Sequence, residues 1–115
     1  MVPDINFLTN QKHLETNWKT PAPLYRDPVF DGAADPTVIY NHEDGCWWML
    51  YTQRRASLPV VGVSGSFGTA IGIASSHDGG KTWVYRGICE GLEIDRGHNT
   101  FWAPEVFYDS QCGLY

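Results

Sequence analysis

The carboxylate best placed for chemistry in this chain is Asp35, which stands directly before Pro36 and a short apolar run. Proline disfavours helical backbone in the residue before it, so we expect Asp35 to be extended at the start of a strand. Glycine and alanine at 32–34 leave room for a ligand beside the carboxylate. Such an aspartate can take a proton from water as a general base, or it can cap its own turn. Both interpretations stay open at this level.

Four further side chains are candidates for contacting a ligand. Trp102 stands before an Ala-Pro pair, and its indole ring can offer a flat face to the C–H groups of a sugar, although most tryptophans are core residues. Arg54 ends an apolar stretch and can donate hydrogen bonds to hydroxyl groups, although a solvated strand end explains it equally well. Phe101 and His98 lie just before Trp102 and can line the same site, but a histidine in a loop is more often only exposed.

Three other acids compete with Asp35 for a role. Asp27 forms a second Asp-Pro pair, and we expect it to be a turn residue or part of a pocket rim. Glu105 lies inside a second apolar run, where a structural role is expected. Asp31 lies close to Asp35 in the sequence but has no role that the sequence assigns.

The apolar segments that must position these side chains predict an all-β fold. They are rich in β-branched and aromatic residues and are separated by Gly-rich and Pro-rich stretches. The predicted strands are 36–41, 46–53, 69–75 and 82–88, and a further strand is predicted within 101–108. The second strand is apolar almost throughout, which predicts burial on both faces. We expect one of those faces to lack cover within this chain.

Two short connections predict tight hairpins. The cluster at 41–45 ends in Asp-Gly, a strong hairpin signal. Residues 76–83 fit the Asp-box pattern S-x-D-x-G-x-x-W at every fixed position. In that turn the Asp78 side chain should bond turn backbone, glycine should adopt positive φ, and Trp83 should pack beneath. The motif is structural, and it is typical of β-propeller hairpins.

The predicted strand order places the candidate residues at one edge of the sheet. In an antiparallel meander the first and third strands start at the edge where the second and fourth end. Asp35, Arg54, the long loop 56–68 and the connection 88–101 therefore share an edge, and only tight turns lie at the other. A scaffold with one binding face should show this asymmetry.

Composition excludes several classes of function. The formal net charge is −5, so there is no basic footprint for nucleic acid. Three cysteines without close pairing and four scattered histidines give neither a disulfide framework nor a metal site. No apolar run approaches the roughly 20 residues of a membrane span. Residues 1–24 read as an irregular leader, with one short strand around 5–8, and lack a signal-peptide pattern. Cytoplasmic and secreted locations both stay open.

Three segments together resemble glycoside hydrolase family 43, the five-bladed β-propeller glycosidases. AADPTVIY (33–40) is similar to the Asp-Pro strand of the first blade. WWMLYT (47–52) and GIASSHDGGKTW (72–83) are similar to the rest of that blade, and FWAPEVFYD (101–109) to the entry of the second. The resemblance implies that 25–115 is the N-terminal part of such a propeller: one four-stranded blade plus the start of a second.

The resemblance also implies roles for two residues. Asp35 corresponds to the general base that activates water for inversion at the anomeric carbon, and Trp102 to an aromatic wall of the sugar subsite. The family's pKa-tuning Asp and general-acid Glu have no matching positions here, so the chain looks like a piece of a larger enzyme. The implied substrate is an oligo- or polysaccharide containing arabinose, xylose or galactose. No cofactor is implied, and a structural calcium would be compatible with the complete propeller.

Three alternatives stay open beside an inverting glycosidase. A carbohydrate-binding propeller without catalysis would keep Trp102 and lose the distant carboxylates. An interaction scaffold would show an exposed apolar patch and no sugar affinity. A retaining relative would use the aspartate as nucleophile. The oligomeric state is not predicted by the sequence.

Overall fold

The computed structural model describes residues 19–56, 59–94 and 99–115, which form a four-stranded antiparallel sheet with almost no helix. The strands are β1 (Asp31–Asn41), β2 (Cys46–Arg55), β3 (Ala70–Ser76) and β4 (Val84–Ile88). They lie side by side in chain order, and each pair of neighbours is antiparallel. One turn of 3-10 helix, Ser64–Ser66, is the only helical element in the described ranges. The all-β prediction and the four-strand meander are confirmed.

The start of β1 differs from the prediction. The strand begins at Asp31 rather than at residue 36, so Asp35 lies inside it. The register shifts between Ala34 and Thr37, so Asp35 and Pro36 together stand opposite the single residue Tyr51, and β1 has one extra residue there. This is a β-bulge on an edge strand, where a proline that cannot donate a hydrogen bond is tolerated.

The central strand β2 is buried on both faces, as predicted. Residues 49–53 are all buried, and Met49 and Tyr51 form a core with Ala74 of β3 on one face. The opposite face is covered by the segment that follows residue 99, where the Ala103 N–H donates to Thr52 Oγ1 at 2.8 Å. The expectation of an uncovered face is therefore wrong for these residues.

The strand predicted within 101–108 is not formed. The only pairing in the described residues after 99 is an isolated bridge between Asp109 and Leu114. The Phe101 N–H donates to the carbonyl of Thr69, in the loop before β3, at 3.0 Å. The backbone N–H groups of Phe101 and Ala103 thus donate to a loop carbonyl and to the Thr52 hydroxyl rather than to a strand backbone. The segment therefore lies over the sheet without extending it.

A buried carboxylate attaches residues 25–30 to the sheet. Asp27 Oδ1 accepts the backbone N–H groups of Val29 and Phe30 at 2.8 and 2.7 Å. Its Oδ2 accepts the Tyr51 hydroxyl at 2.5 Å and the Gln53 amide at 3.0 Å. Asp27 is thus the turn residue that the sequence favoured, and it also joins that turn to β2.

The same contacts shift the acidity of the groups involved. Burial is the largest influence and raises the pKa of the Asp27 carboxyl, but the hydrogen bonds from Tyr51, Phe30, Gln53 and Val29 lower it further than burial raises it. The net pKa lies below the usual value of an aspartate. Burial and the hydrogen bonds with Asp27 and Tyr25 raise the pKa of the Tyr51 hydroxyl. A charged carboxylate and a neutral phenol therefore share this buried position.

The turn between β3 and β4 has the contacts predicted for it. Asp78 accepts hydrogen bonds from the backbone N–H and hydroxyl of Thr82 and from the Ser76 hydroxyl. These bonds hold the pKa of the Asp78 carboxyl well below its usual range. Gly80 has φ +88°, and the Trp83 indole N–H donates to its carbonyl at 3.0 Å. The turn closes the hairpin far from the candidate residues.

Candidate functional site

A cleft of about 450 Å³ lies at the edge of the sheet that carries the long loops. It lies between the bulge of β1, the end of β2, the loop 60–68 and the segment 99–103. Its lining residues are Asp35, Thr52, Arg54, Val63, Ser66, Phe67, Trp102 and Ala103. The structure thus brings three of the candidates, Asp35, Arg54 and Trp102, into one cleft.

Asp35 reaches the cleft from the bulge of β1. Its φ is +48°, so the prediction of an extended residue is wrong. An aspartate tolerates the left-handed region better than most residues, and a bulge redirects the side chain that it carries. The side chain is exposed, and its carboxylate has no hydrogen bond or ion pair with any residue in the described ranges. It is therefore available to water or to a ligand.

Trp102 forms an aromatic wall of the cleft. Its indole N–H donates to the carbonyl of Ser66 at 2.8 Å, and its ring lies 6.3 Å from the Phe67 ring, centroid to centroid. The side chain nevertheless stays 55% exposed. A tryptophan of the core would be far more buried, so this ring is held in place while much of its surface remains open.

Two arginines hold the loop 60–68 against the end of β2. Arg54 lines the cleft and donates to Ser66 Oγ at 3.3 Å. Arg55 donates to the carbonyl of Phe67 at 3.0 Å, and its guanidinium carbon lies 4.9 Å from the centre of the Phe30 ring. The exposed guanidinium of Arg54 keeps further N–H donors for a ligand.

Backbone strain is concentrated at this cleft. Three non-glycine residues have positive φ within the described ranges, and two of them, Asp35 and Ala103, line the cleft. Ala103 has φ +44°, a conformation that costs an alanine roughly 1–2 kcal/mol. The hydrogen bond from its N–H to Thr52 holds it there. Strained residues of this kind cluster at ligand-binding sites.

One of the predicted ligand-binding residues, Phe101, does not line the cleft. Phe101 lines a neighbouring groove of about 550 Å³, for which Trp102 forms a shared wall and in which Glu105 also lies. His98 lies outside the described residues, as does the strand predicted around 5–8. The sequence, in turn, did not identify Val63 and Phe67. The only feature of the sequence that pointed to these two residues was the length and glycine content of their loop.

The described part of the chain contains no group of three His, Cys, Asp or Glu side chains able to hold a metal ion. Of its free cysteines, Cys46 is buried. In the same ranges, no helix has the length and apolar character needed to cross a membrane.

No family model matches the chain, and no curated protein matches it. The function of the chain is therefore inferred from the geometry of the cleft and the chemistry of its side chains.

Proposed function

We propose that this chain carries the sugar-binding cleft and the general base of an inverting glycosidase similar to glycoside hydrolase family 43. One observation carries the proposal. An unpaired carboxylate (Asp35), a guanidinium (Arg54) and a half-exposed indole (Trp102), distant in sequence, line the same cleft. A base, a hydrogen-bond donor and an aromatic platform are three of the groups that such a reaction uses, and a general acid is the fourth.

The base in this proposal is Asp35. Its carboxylate takes a proton from a water molecule as the water oxygen attacks the anomeric carbon. The bond from that carbon to the leaving oxygen breaks, and a general acid protonates the leaving group. The resemblance assigns this acid to a glutamate outside these 115 residues. In inverting enzymes the two carboxyl groups stand ~6.5–9.5 Å apart, with the water beside the base.

Substrate binding in this proposal depends on Trp102 and Arg54. The indole stacks against the C–H face of a sugar ring, and its bond to Ser66 fixes its orientation before the sugar arrives. Arg54 donates to sugar hydroxyls with the N–H groups that its bond to Ser66 leaves over. Because both side chains bond the same loop residue, a ligand meets a wall that is already formed.

The fold is compatible with the proposed architecture. A propeller blade is a four-stranded antiparallel meander, and the sheet has this strand order. In the proposal, β1–β4 form the first blade, and residues 101–115 enter the second without yet pairing as a strand. The contacts of the turn around Asp78 suit the hairpin of a blade.

A second candidate function is sugar binding without catalysis. Asp35 is the single carboxylate among the described residues that line the cleft, which favours this alternative. A module of this kind would use Trp102 and Arg54 in the same way, and Asp35 would accept hydrogen bonds from sugar hydroxyls. It would bind sugars without turnover.

Chromogenic glycosides separate these two functions. The intact protein would be incubated with 4-nitrophenyl glycosides of arabinose, xylose and galactose, and the first anomer released would be identified by proton NMR. The proposal predicts hydrolysis with inversion of at least one glycoside. Retention would instead assign Asp35 a nucleophile's role. Binding without turnover would support the second candidate, and the absence of both binding and turnover would refute both functions.

A further inference from the structure

We infer that the cleft contains an apolar subsite beside the sugar, formed by Val63 and Phe67, which accepts the leaving group of an aryl or alkyl glycoside. The inference rests on the proposed function and names a substrate class within it. The preferred substrates would be glycosides of phenols or aliphatic alcohols rather than chains of further sugars.

The first observation is the apolar character of the loop 60–68 where it meets the cleft. Val63 and Phe67 line the cleft and are 70% and 54% exposed. Together with Trp102 they give the cleft three large apolar side chains that stay open to water. Apolar surface gathered in a concave site marks a place for an apolar ligand group.

The second observation is that this apolar wall is held in position. The Phe67 carbonyl accepts Arg55, and the Ser66 carbonyl accepts Trp102, so both sides of the cleft are tied to the loop. The loop also bonds the segment after residue 99, where the Gly68 N–H donates to Thr100 Oγ1 at 2.9 Å. A wall held in this way loses little conformational entropy when a ligand binds.

The third observation is how few polar groups the cleft offers. The hydroxyl of Thr52 already accepts the Ala103 N–H, and the hydroxyl of Ser66 accepts Arg54. The Thr52 side chain is also buried, with 1% of its surface exposed, while the Ser66 hydroxyl keeps its own O–H donor. Among the described lining residues, the exposed charged side chains offered to a ligand are Asp35 and Arg54. One sugar unit can use both of them. A second sugar against Val63 and Phe67 would have its hydroxyls desolvated without partners, whereas an aryl or alkyl group has no such cost.

The test compares matched ligand pairs by isothermal titration calorimetry. Methyl and 4-nitrophenyl glycosides of arabinose, xylose and galactose would be titrated into the full chain, with 4-nitrophenol alone as a third probe. For the sugar that binds, we expect the nitrophenyl glycoside to bind about tenfold more tightly than the methyl glycoside. Phe67→Ser and Val63→Ser should each bring the ratio of the two dissociation constants, methyl glycoside to nitrophenyl glycoside, toward one.

The matched control is Val84→Ser on β4. Val84 is 59% exposed, as open as Phe67, but it lies outside the cleft. It should keep the wild-type ratio, and near-UV circular dichroism of all three variants checks that the fold is intact. Because the substituted side chains are largely exposed, loss of folding is not expected.

The outcomes distinguish the inference from the function on which it rests. Binding of both glycosides with a ratio near one would overturn the apolar subsite and leave the proposed function standing. A ratio that Phe67→Ser and Val63→Ser do not change would also overturn it. Binding of 4-nitrophenol without any glycoside binding would refute the proposed function, and the inference with it.

Discussion

At the scale of single residues, the two aspartates that precede prolines have opposite environments. Asp27 is buried and accepts four hydrogen bonds, two from backbone and two from β2 side chains. Asp35 is exposed at a bulge and has no partner in the described ranges. A carboxylate saturated with donors is suited to structure, while an unpaired one in a cleft remains free for a ligand.

Asp27→Asn should destabilise the fold by roughly 2–3 kcal/mol at neutral pH, because an amide NH₂ would face the donors of Tyr51 and Gln53. The folded pKa of Asp27 lies below its unfolded value of about 3.9. The stabilisation is therefore full above that value and is lost as pH falls through the folded pKa. Urea denaturation at a series of pH values should show that the difference in free energy of unfolding between wild type and variant becomes smaller in acid.

Asp31→Asn is the control for this prediction. Asp31 forms an exposed ion pair with Arg26, and such pairs contribute little to stability. The assignment of Asp27 as the buried anchor would be contradicted if Asp31→Asn lowered the free energy of unfolding as much as Asp27→Asn does. It would also be contradicted if the effect of Asp27→Asn on that free energy stayed constant in acid.

Trp102→Ala should weaken sugar binding about tenfold while having a small effect on folding. The ring is half-exposed, whereas truncating a buried tryptophan costs ~3–5 kcal/mol of folding stability. Sugar titrations and thermal melts of the same sample measure both effects. Trp47→Ala, at the opposite end of β2, should leave sugar affinity unchanged. A large loss of stability with normal sugar affinity would make Trp102 a core residue.

The sequence predicted part of the site at this scale. The common location of Asp35, Arg54 and Trp102 at one edge of the sheet follows from the predicted strand order. Apolar runs and turn signals determine which strand ends and connections share that edge. The left-handed backbone of Asp35 and Ala103 could not be predicted in this way. It depends on the bulge and on the Thr52 hydroxyl, which only the tertiary structure brings to Ala103.

At the scale of the elements, β2 and β3 fit together through one close contact. A Cβ added at Gly72 would lie 2.4 Å from the ring of Tyr51. Tyr51 is fully buried and bonded to Asp27, so its ring has no room to move. The glycine in β3 thus makes space for the aromatic ring on which the buried network depends.

Gly72→Ala should therefore cost at least ~1–3 kcal/mol, the usual range for an overpacked core. Chemical denaturation measures this loss. Gly65→Ala is the control, because its new Cβ would lie 3.0 Å from the end of the exposed Val60 side chain, which can shift, and 3.8 Å from the Arg55 carbonyl, an ordinary contact. Equal effects of the two substitutions would contradict the packing of Tyr51 against β3.

The elements also show where sequence patterns fail. The strands from 46 to 88 were predicted within two residues, because apolar runs bounded by turns define them. The segment 101–108 has the same pattern and is not a strand. Phe101 and Val106 line a groove together with Leu50 of β2, whereas Phe107 stays 72% exposed. The segment pairs with no strand in the described residues.

At the scale of the whole molecule, the two ends of the sheet are different. The end with the tight turns is closed by local hydrogen bonds, such as those from Glu43 and Asp44 to the Asn41 side chain. The other end carries the bulge, the long loop and the cleft. A rigid sheet with variable loops at one end is a common arrangement for a binding site.

The 115-residue chain alone should bind glycosides but hydrolyse them at least ~10²-fold more slowly than a protein in which the general acid is also present. The reason is that the described lining of the cleft has one carboxylate, so leaving-group protonation has no donor there. Calorimetry and nitrophenol release on the same sample test this. Efficient turnover by the isolated chain would mean that its acid lies within these residues.

The central claim is that Asp35 is the base, and Asp35→Asn in the intact protein tests it most directly. Asparagine keeps the shape and tolerates the left-handed backbone, but it cannot take a proton from water. We predict that glycoside hydrolysis falls by about 10²–10⁴-fold while sugar affinity, measured by calorimetry, is largely kept. Asp44→Asn, an exposed acid at the opposite end of the sheet, should keep full activity. Near-normal hydrolysis by Asp35→Asn would contradict the claim.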